Sequence, residues 1–129
     1  MKHLAKKLLL DHPEDIHFPM VAIALKGRRI CGYGYNSFKT NPLGFFVAKK
    51  YGLGIGEDTD FFNASTHCEL SALSKFPHCD TLFIARLKKD GTFGIAKPCP
   101  VCQKMLELSS IKLVYFTTSY GTIKKEKIC

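Results

Sequence analysis

The sequence predicts a three-layer α/β/α domain around a five-stranded mixed sheet whose last strand is antiparallel to its neighbour. Three observations lead there. Helical and extended patterns alternate along the chain as helix, two strands, helix, strand, helix, two strands. Such alternation puts parallel pairings at the centre of a sheet and helices on its faces. Short apolar runs such as Met20-Val21-Ala22-Ile23-Ala24-Leu25 read as strands buried on both faces. Only Thr118-Ser119-Tyr120-Gly121 separates the last two strands, which is too short for a parallel crossover. At 129 residues the chain is expected to form one domain, residues 1–129.

Each element has its own local reason. Leu4, Leu8 and Leu9 share a helical face, Lys2, Lys6 and Lys7 lie away from it, and Pro13 stops the helix. The run Met20–Leu25 and the segment Ile30–Tyr35 flank the turn Lys26-Gly27-Arg28-Arg29, the pattern of a hairpin. Residues 36–66 show no periodicity and contain Pro42, Gly44, Gly52, Gly54, Gly56 and the acidic cluster Glu57-Asp58-Thr59-Asp60. So long an irregular stretch reads as a functional loop, with a short helix near Phe45–Lys50, placed to lie over a binding site. From His67, Leu70, Leu73 and Phe76 continue a helical pattern that Pro77 ends. Thr81–Leu87 is a strand and Lys89-Asp90-Gly91-Thr92 a turn. The next helix is expected from near Pro98 to about Ser109, with Val101, Met105 and Leu108 as its apolar face. Lys112–Thr117 and about Thr122–Ile128 are the closing strands.

Composition excludes several classes. With 46% hydrophobic and 23% charged residues the chain is neither disordered nor fibrous. No apolar run reaches the ~18–20 residues of a membrane span. Lys6 and Lys7 interrupt the apolar start, and Asp11-His12-Pro13-Glu14-Asp15 stands where a signal-peptide cleavage site would be. A cytoplasmic protein without a membrane partner is therefore expected. In that compartment the six cysteines favour metal ligation or buried thiols over disulfides. Cys31 is expected as a buried thiol, Cys129 as a loose terminus, and His3, His12 and His17 as surface residues. The net charge of +8 suits a phosphate-bearing partner, a nucleotide or a polynucleotide, and equally suits a solvated basic surface.

Two segments carry chemistry. His67-Cys68-Glu69 opens one helix and Pro98-Cys99-Pro100-Val101-Cys102 opens the next. Histidine and cysteine are zinc ligands of suitable softness, and three protein ligands leave a fourth tetrahedral position for water. Cys99 and Cys102 are three apart and share a helix face. A helix N-terminus favours their thiolates, and prolines suit that position. Glu69 stands beside the metal without binding it, where a carboxylate can take a proton from an activated water and pass it to a leaving amine. Two blander readings compete. Thr66-His67-Cys68-Glu69 fits a capping box, in which Glu69 only satisfies a helix end. A closed structural zinc site would recruit Cys68, His78 or Cys79 as a fourth ligand.

The two segments together resemble the zinc-dependent cytidine and deoxycytidylate deaminase family, whose signature is H-x-E followed by P-C-x-x-C. The motifs cover eight residues, and the helix–strand alternation extends the resemblance over most of the chain. The resemblance implies a cytidine deaminase-like fold and zinc ligands His67, Cys99 and Cys102. It implies Glu69 as the proton shuttle, Asn36 of Gly34-Tyr35-Asn36 as a contact to the substrate sugar, and the Cys68 backbone as part of the base-binding wall. Cysteine at position 68 departs from the alanine of many members. The short final connection resembles the free-nucleoside and bacterial toxin-type branches, whereas a histidine first ligand is unlike most free-cytidine enzymes. The expected activity is hydrolytic deamination of a nucleobase, with cytosine in a nucleoside or nucleotide favoured. A deaminase of single-stranded nucleic acid and a noncatalytic zinc-stabilised binding module are the alternatives. A homo-oligomer is compatible with all three.

Overall fold

The computed structural model describes residues 1–14, 19–40, 50, 65–98 and 100–128. Cys99, Cys129, His17, the acidic cluster at 57–60 and, except for Lys50, the helix expected near Phe45–Lys50 lie outside the described residues. The chain runs α1 (Lys2–Leu10), β1 (Met20–Lys26), β2 (Arg29–Tyr35), β3 (Ser37–Thr40), β4 (Ser65–Thr66) and α2 (Cys68–Lys75). It continues with β5 (Thr81–Leu87), β6 (Phe93–Gly94), α3 (Pro100–Glu107), β7 (Leu113–Thr117) and β8 (Ile123–Lys127).

The main sheet has the order β2-β1-β5-β7-β8. β1 is antiparallel to both β2 and β5, while β5 and β7 are parallel. β8 is antiparallel to β7, with Thr117 opposite Ile123, as the short connection requires. Gly121 takes a positive φ of 76° in that turn. Two pairings were not foreseen. β6 adds a sixth strand by pairing Phe93 and Gly94 with Leu87 and Arg86, and β3 and β4 form a separate two-stranded sheet. Strands this short leave no alternation in the sequence to read.

Side chains along the central strands point alternately to two cores. Val21, Ile23, Leu25, Phe83, Ala85 and Leu87 pack with Ala5 and Leu9 of α1. Ala22, Ala24, Leu82, Ile84, Val114 and Phe116 face the other way and pack with Cys68, Ala72 and Leu106 of α2 and α3. Helices therefore cover both faces, which is the expected three-layer arrangement. Full burial of a Leu, Ile or Phe side chain stabilises by about 1.5–3 kcal/mol, so this two-sided core carries much of the fold.

Several local expectations need correction. α3 begins at Pro100, close to the expected start, and its fully buried face is Val101, Cys102 and Leu106. Leu108, expected inside, is 58% exposed because it lies beyond the helix end. In α1 the fully buried pair is Ala5 and Leu9, one helical turn apart, with Leu4 and Leu8 packed at its flanks. Cys31 is exposed, not buried, because it sits on β2, an edge strand. His12 is half-buried and hydrogen-bonded, not a bare surface residue. Cys31, Cys68 and Cys79 are free thiols. Among the described residues no helix is long and apolar enough to cross a membrane.

The seat of α2 depends on two glycines. Gly32 and Gly34 of β2 face the helix so closely that added methyl groups would collide with it. At Gly34 a Cβ would stand 2.5 Å from the Ala72 backbone nitrogen. At Gly32 it would meet the far end of the Phe76 ring, which can move aside. Gly34→Ala is therefore expected to destabilise the fold by about 1–3 kcal/mol, the usual cost of overpacking, and Gly32→Ala by less. Urea unfolding of the two variants checks the order. Equal stabilities would show that α2 is not held by this contact.

Candidate functional site

The site forms where α2 and α3 begin. His67 is the N-cap residue of α2, with extended backbone angles of φ −80° and ψ 152°. Glu69 lies in the first turn of the same helix. Cys102 lies in the first turn of α3. Ligand atoms of His67, Glu69 and Cys102 all stand within 4.8 Å of one another. His67 Nδ1 is 3.2 Å from Cys102 Sγ. Cys102 is fully buried, Glu69 is 3% exposed, and His67 is half-buried. Three chemically reactive side chains thus converge on one point at the wall of the core.

The cluster has the chemistry of a metal centre. Bonds of about 2.0–2.1 Å to nitrogen and 2.3 Å to sulfur put two ligands of one tetrahedral zinc about 3.6 Å apart. The observed 3.2 Å needs only a small widening to accept such an ion. The two helix N-termini add positive potential at this point. Cys99, the third expected ligand, lies outside the described residues.

The competing readings fare differently. The N-cap of α2 is His67 and not Thr66, and no side-chain cap hydrogen bond closes this end. Glu69 instead accepts a hydrogen bond at Oε1 from the Cys68 thiol, at 2.9 Å. The fourth ligands that a closed structural site would need do not assemble. His78 is exposed and Cys79 follows the C-terminal end of α2, about 12 Å along the helix from its start. Cys68 turns its side chain into the core among Ala22, Ala24 and Ala72, and burial, then the Glu69 carboxylate, push its thiol well up from the ordinary range. Its extra atom over alanine, the sulfur, lies buried against the Glu69 carboxylate.

Asn36 follows β2 at the same end of the sheet. Its neighbour Ser37 pairs with Thr66, the residue before His67. Its Oδ1 accepts a hydrogen bond from the Met20 backbone N–H at 2.9 Å. His12 Nε2 lies 2.9 Å from the same oxygen.

One supporting residue was invisible in the sequence. Thr117 is fully buried at the end of β7. Its hydroxyl donates to the Gly94 carbonyl at 2.8 Å and accepts from the Arg86 N–H at 3.3 Å. The Ala96 N–H donates to its carbonyl at 2.9 Å. Thr117 thereby ties the segment leading to α3 onto β5 and β7. A threonine closing an apolar strand gives no sign of this, since all its partners come from elsewhere in the chain.

No protein-family model matches the chain, and no curated protein sequence does. Similarity appears in three dimensions. The cytidine deaminase from Burkholderia pseudomallei superposes with a TM-score of 0.57 and 14% identity, over 99% of this chain and 93% of that one. The cytidine deaminase from Mycobacterium leprae superposes with a TM-score of 0.52 and 13% identity, over 97% and 89%. This chain therefore has the cytidine deaminase fold.

If His67 and Cys102 hold a metal together, neither suffices alone. Cys102→Ala is expected to weaken Zn(II) binding by more than the roughly 10–100-fold that losing a second-shell partner costs. Competition against a chromophoric chelator measures it, with circular dichroism to confirm folding. Unchanged affinity in the folded variant would remove Cys102 from the centre.

Proposed function

We propose that the protein is a zinc-dependent hydrolytic deaminase acting on cytosine in a free nucleoside or nucleotide. The observation that carries this reading is the meeting of His67, Glu69 and Cys102 within 4.8 Å at two helix starts. The cytidine deaminase fold supports it. His67, Cys102 and Cys99 would hold the zinc, with Cys99 assigned from its place in Pro98-Cys99-Pro100-Val101-Cys102. When bound, zinc supplies Lewis acidity, making a water nucleophilic near neutral pH.

The remaining chemistry belongs to the chain. Hydrolysis replaces the exocyclic amine at C4 of cytosine with oxygen and releases ammonia. A bond from water oxygen to C4 forms, the C4–N bond breaks, and water protons must reach the base and the departing amine. The Glu69 carboxylate takes a proton at one oxygen and returns it to the leaving nitrogen. The Cys68 thiol on Oε1 fixes which way the carboxylate turns. Burial of Glu69 excludes bulk water from the transfer. The backbone at Cys68 walls the base, and Asn36 meets the sugar.

The substrate test is ammonia release from cytosine, adenine and guanine nucleosides, nucleotides and oligonucleotides. Turnover of free cytosine compounds is expected. Turnover confined to oligonucleotides would move the substrate to single-stranded nucleic acid, and silence with zinc bound would favour a binding module.

Glu69→Gln separates proton transfer from the hydrogen bond that the Cys68 thiol makes to this side chain. Glutamine keeps an acceptor for the Cys68 thiol and serves equally well in a capping box, but it carries no exchangeable acid. The variant is expected to keep its fold and zinc while losing about 10²–10⁴-fold in deamination rate, the usual worth of a general acid–base group. A rate within a fewfold of wild type would exclude Glu69 from proton transfer.

A further inference from the structure

The exit of α1 is bound to the corner between β2 and β3 by a chain of hydrogen bonds that runs through His12. The Glu14 backbone N–H donates to His12 Nδ1 at 3.1 Å. A backbone N–H can only donate, so Nδ1 is the acceptor and the neutral ring carries its proton on Nε2. His12 Nε2–H therefore donates to Asn36 Oδ1, 2.9 Å away. The Met20 backbone N–H donates to the same oxygen at 2.9 Å. Two backbone N–H groups, at Glu14 and Met20, thus settle both the histidine tautomer and which atom of the Asn36 amide is oxygen. The Tyr35 ring packs against the imidazole with centroids 4.6 Å apart, and the Tyr35 hydroxyl donates to the Leu8 carbonyl at 2.7 Å. The Ser37 hydroxyl donates to Glu14 Oε1 at 3.1 Å, closing the loop of contacts.

We infer that His12 is a positioning residue, locking the Asn36 amide with its oxygen turned to β1 so that Asn36 meets the substrate as a hydrogen-bond donor. The inference rests on the proposed role of Asn36 at the substrate. Both lone pairs of Oδ1 are filled by His12 and Met20, so this oxygen has no capacity left to accept from a ligand. The register places the amide beside the start of α2, because Ser37 pairs with Thr66 and Gly34 lies against Ser71 and Ala72. The substrate group opposite Asn36 must then offer an acceptor, which a sugar hydroxyl oxygen or a phosphate oxygen does. Without His12 the Asn36 oxygen loses one of the two donors that fix its direction.

A double-mutant cycle on His12 and Asn36 tests this in the zinc-loaded protein, reading KM and kcat for cytidine and its 5′-monophosphate and Kd by equilibrium dialysis. His12→Ala and Asn36→Ala are each expected to raise KM and Kd about tenfold, the scale of one hydrogen bond to a ligand, with kcat within about threefold. His12→Ala should add nothing once Asn36 is alanine, because contacts that act as one unit are not additive. His12→Gln, which can offer an N–H to Oδ1, should recover most of the loss. Additive effects, or a loss of thermal stability with KM unchanged, would reduce His12 to a structural residue and leave the deaminase reading intact. Nitrogen-15 spectra of the imidazole provide a readout independent of turnover, with a bare Nδ1 and a protonated Nε2 expected, and the opposite tautomer overturning the clamp. If wild type neither binds nor deaminates these compounds, the deaminase reading fails and the positioning role with it, while the tautomer still reports whether the clamp exists.

Discussion

The parallel pairing of β5 with β7 is the constraint on which the site depends. α2 leads into β5 and α3 leads into β7, each running back along the sheet before its strand begins. Because the two strands point the same way, both helices must start at the same end of the sheet. That geometry brings His67 and Glu69 to Cys102 across 35 residues of chain. It also aims two helix N-termini at one point. An antiparallel β5–β7 pair would have put one helix start at the far end and left the motif split.

Keeping reactive groups at that point requires the surroundings to be stiff. Glu69 and Cys102 are both buried, so their orientation is set by packing more than by solvent. Below them, α2 is pressed against β2 by Gly32 and Gly34, and Cys68 and Ala72 fill the space above Ala22 and Ala24. Behind α3, the Thr117 hydroxyl joins β5, β6 and β7 with two hydrogen bonds. Beside them, α1 is fastened to the β2–β3 corner through His12 and Glu14. Each layer of the fold therefore contributes one brace to the same end of the sheet. Such support would hold the proposed ligand and proton-transfer geometry to the tolerance that catalysis demands.

The sequence announced the centre of this arrangement more clearly than its supports. His67, Glu69 and Cys102 were legible because metal and acid–base chemistry needs those residue types at those spacings. The central strands were legible because burial on both faces makes an unbroken apolar run, as in Met20–Leu25. The antiparallel last strand followed from a connection too short for any other course. Thr117 and His12 were not legible, since a polar residue's role depends on partners that only the folded chain supplies. The face of α3 was misjudged for a related reason. Running the helix to about Ser109 put Leu108 on its apolar face, whereas α3 ends at Glu107 and buries Val101, Cys102 and Leu106. β6 and the β3–β4 pair were too short to show a period.

Exchange of the amine of cytosine for an oxygen from water is the reaction proposed for this fold and cluster. Incubating the zinc-loaded protein with cytidine or its 5′-monophosphate in oxygen-18 water, and weighing the product by mass spectrometry, tests it most directly. A uracil product carrying a single heavy oxygen in its base is expected, with one ammonia released per turnover. Unchanged substrate at full zinc occupancy, or a deaminated product without the label, would contradict it.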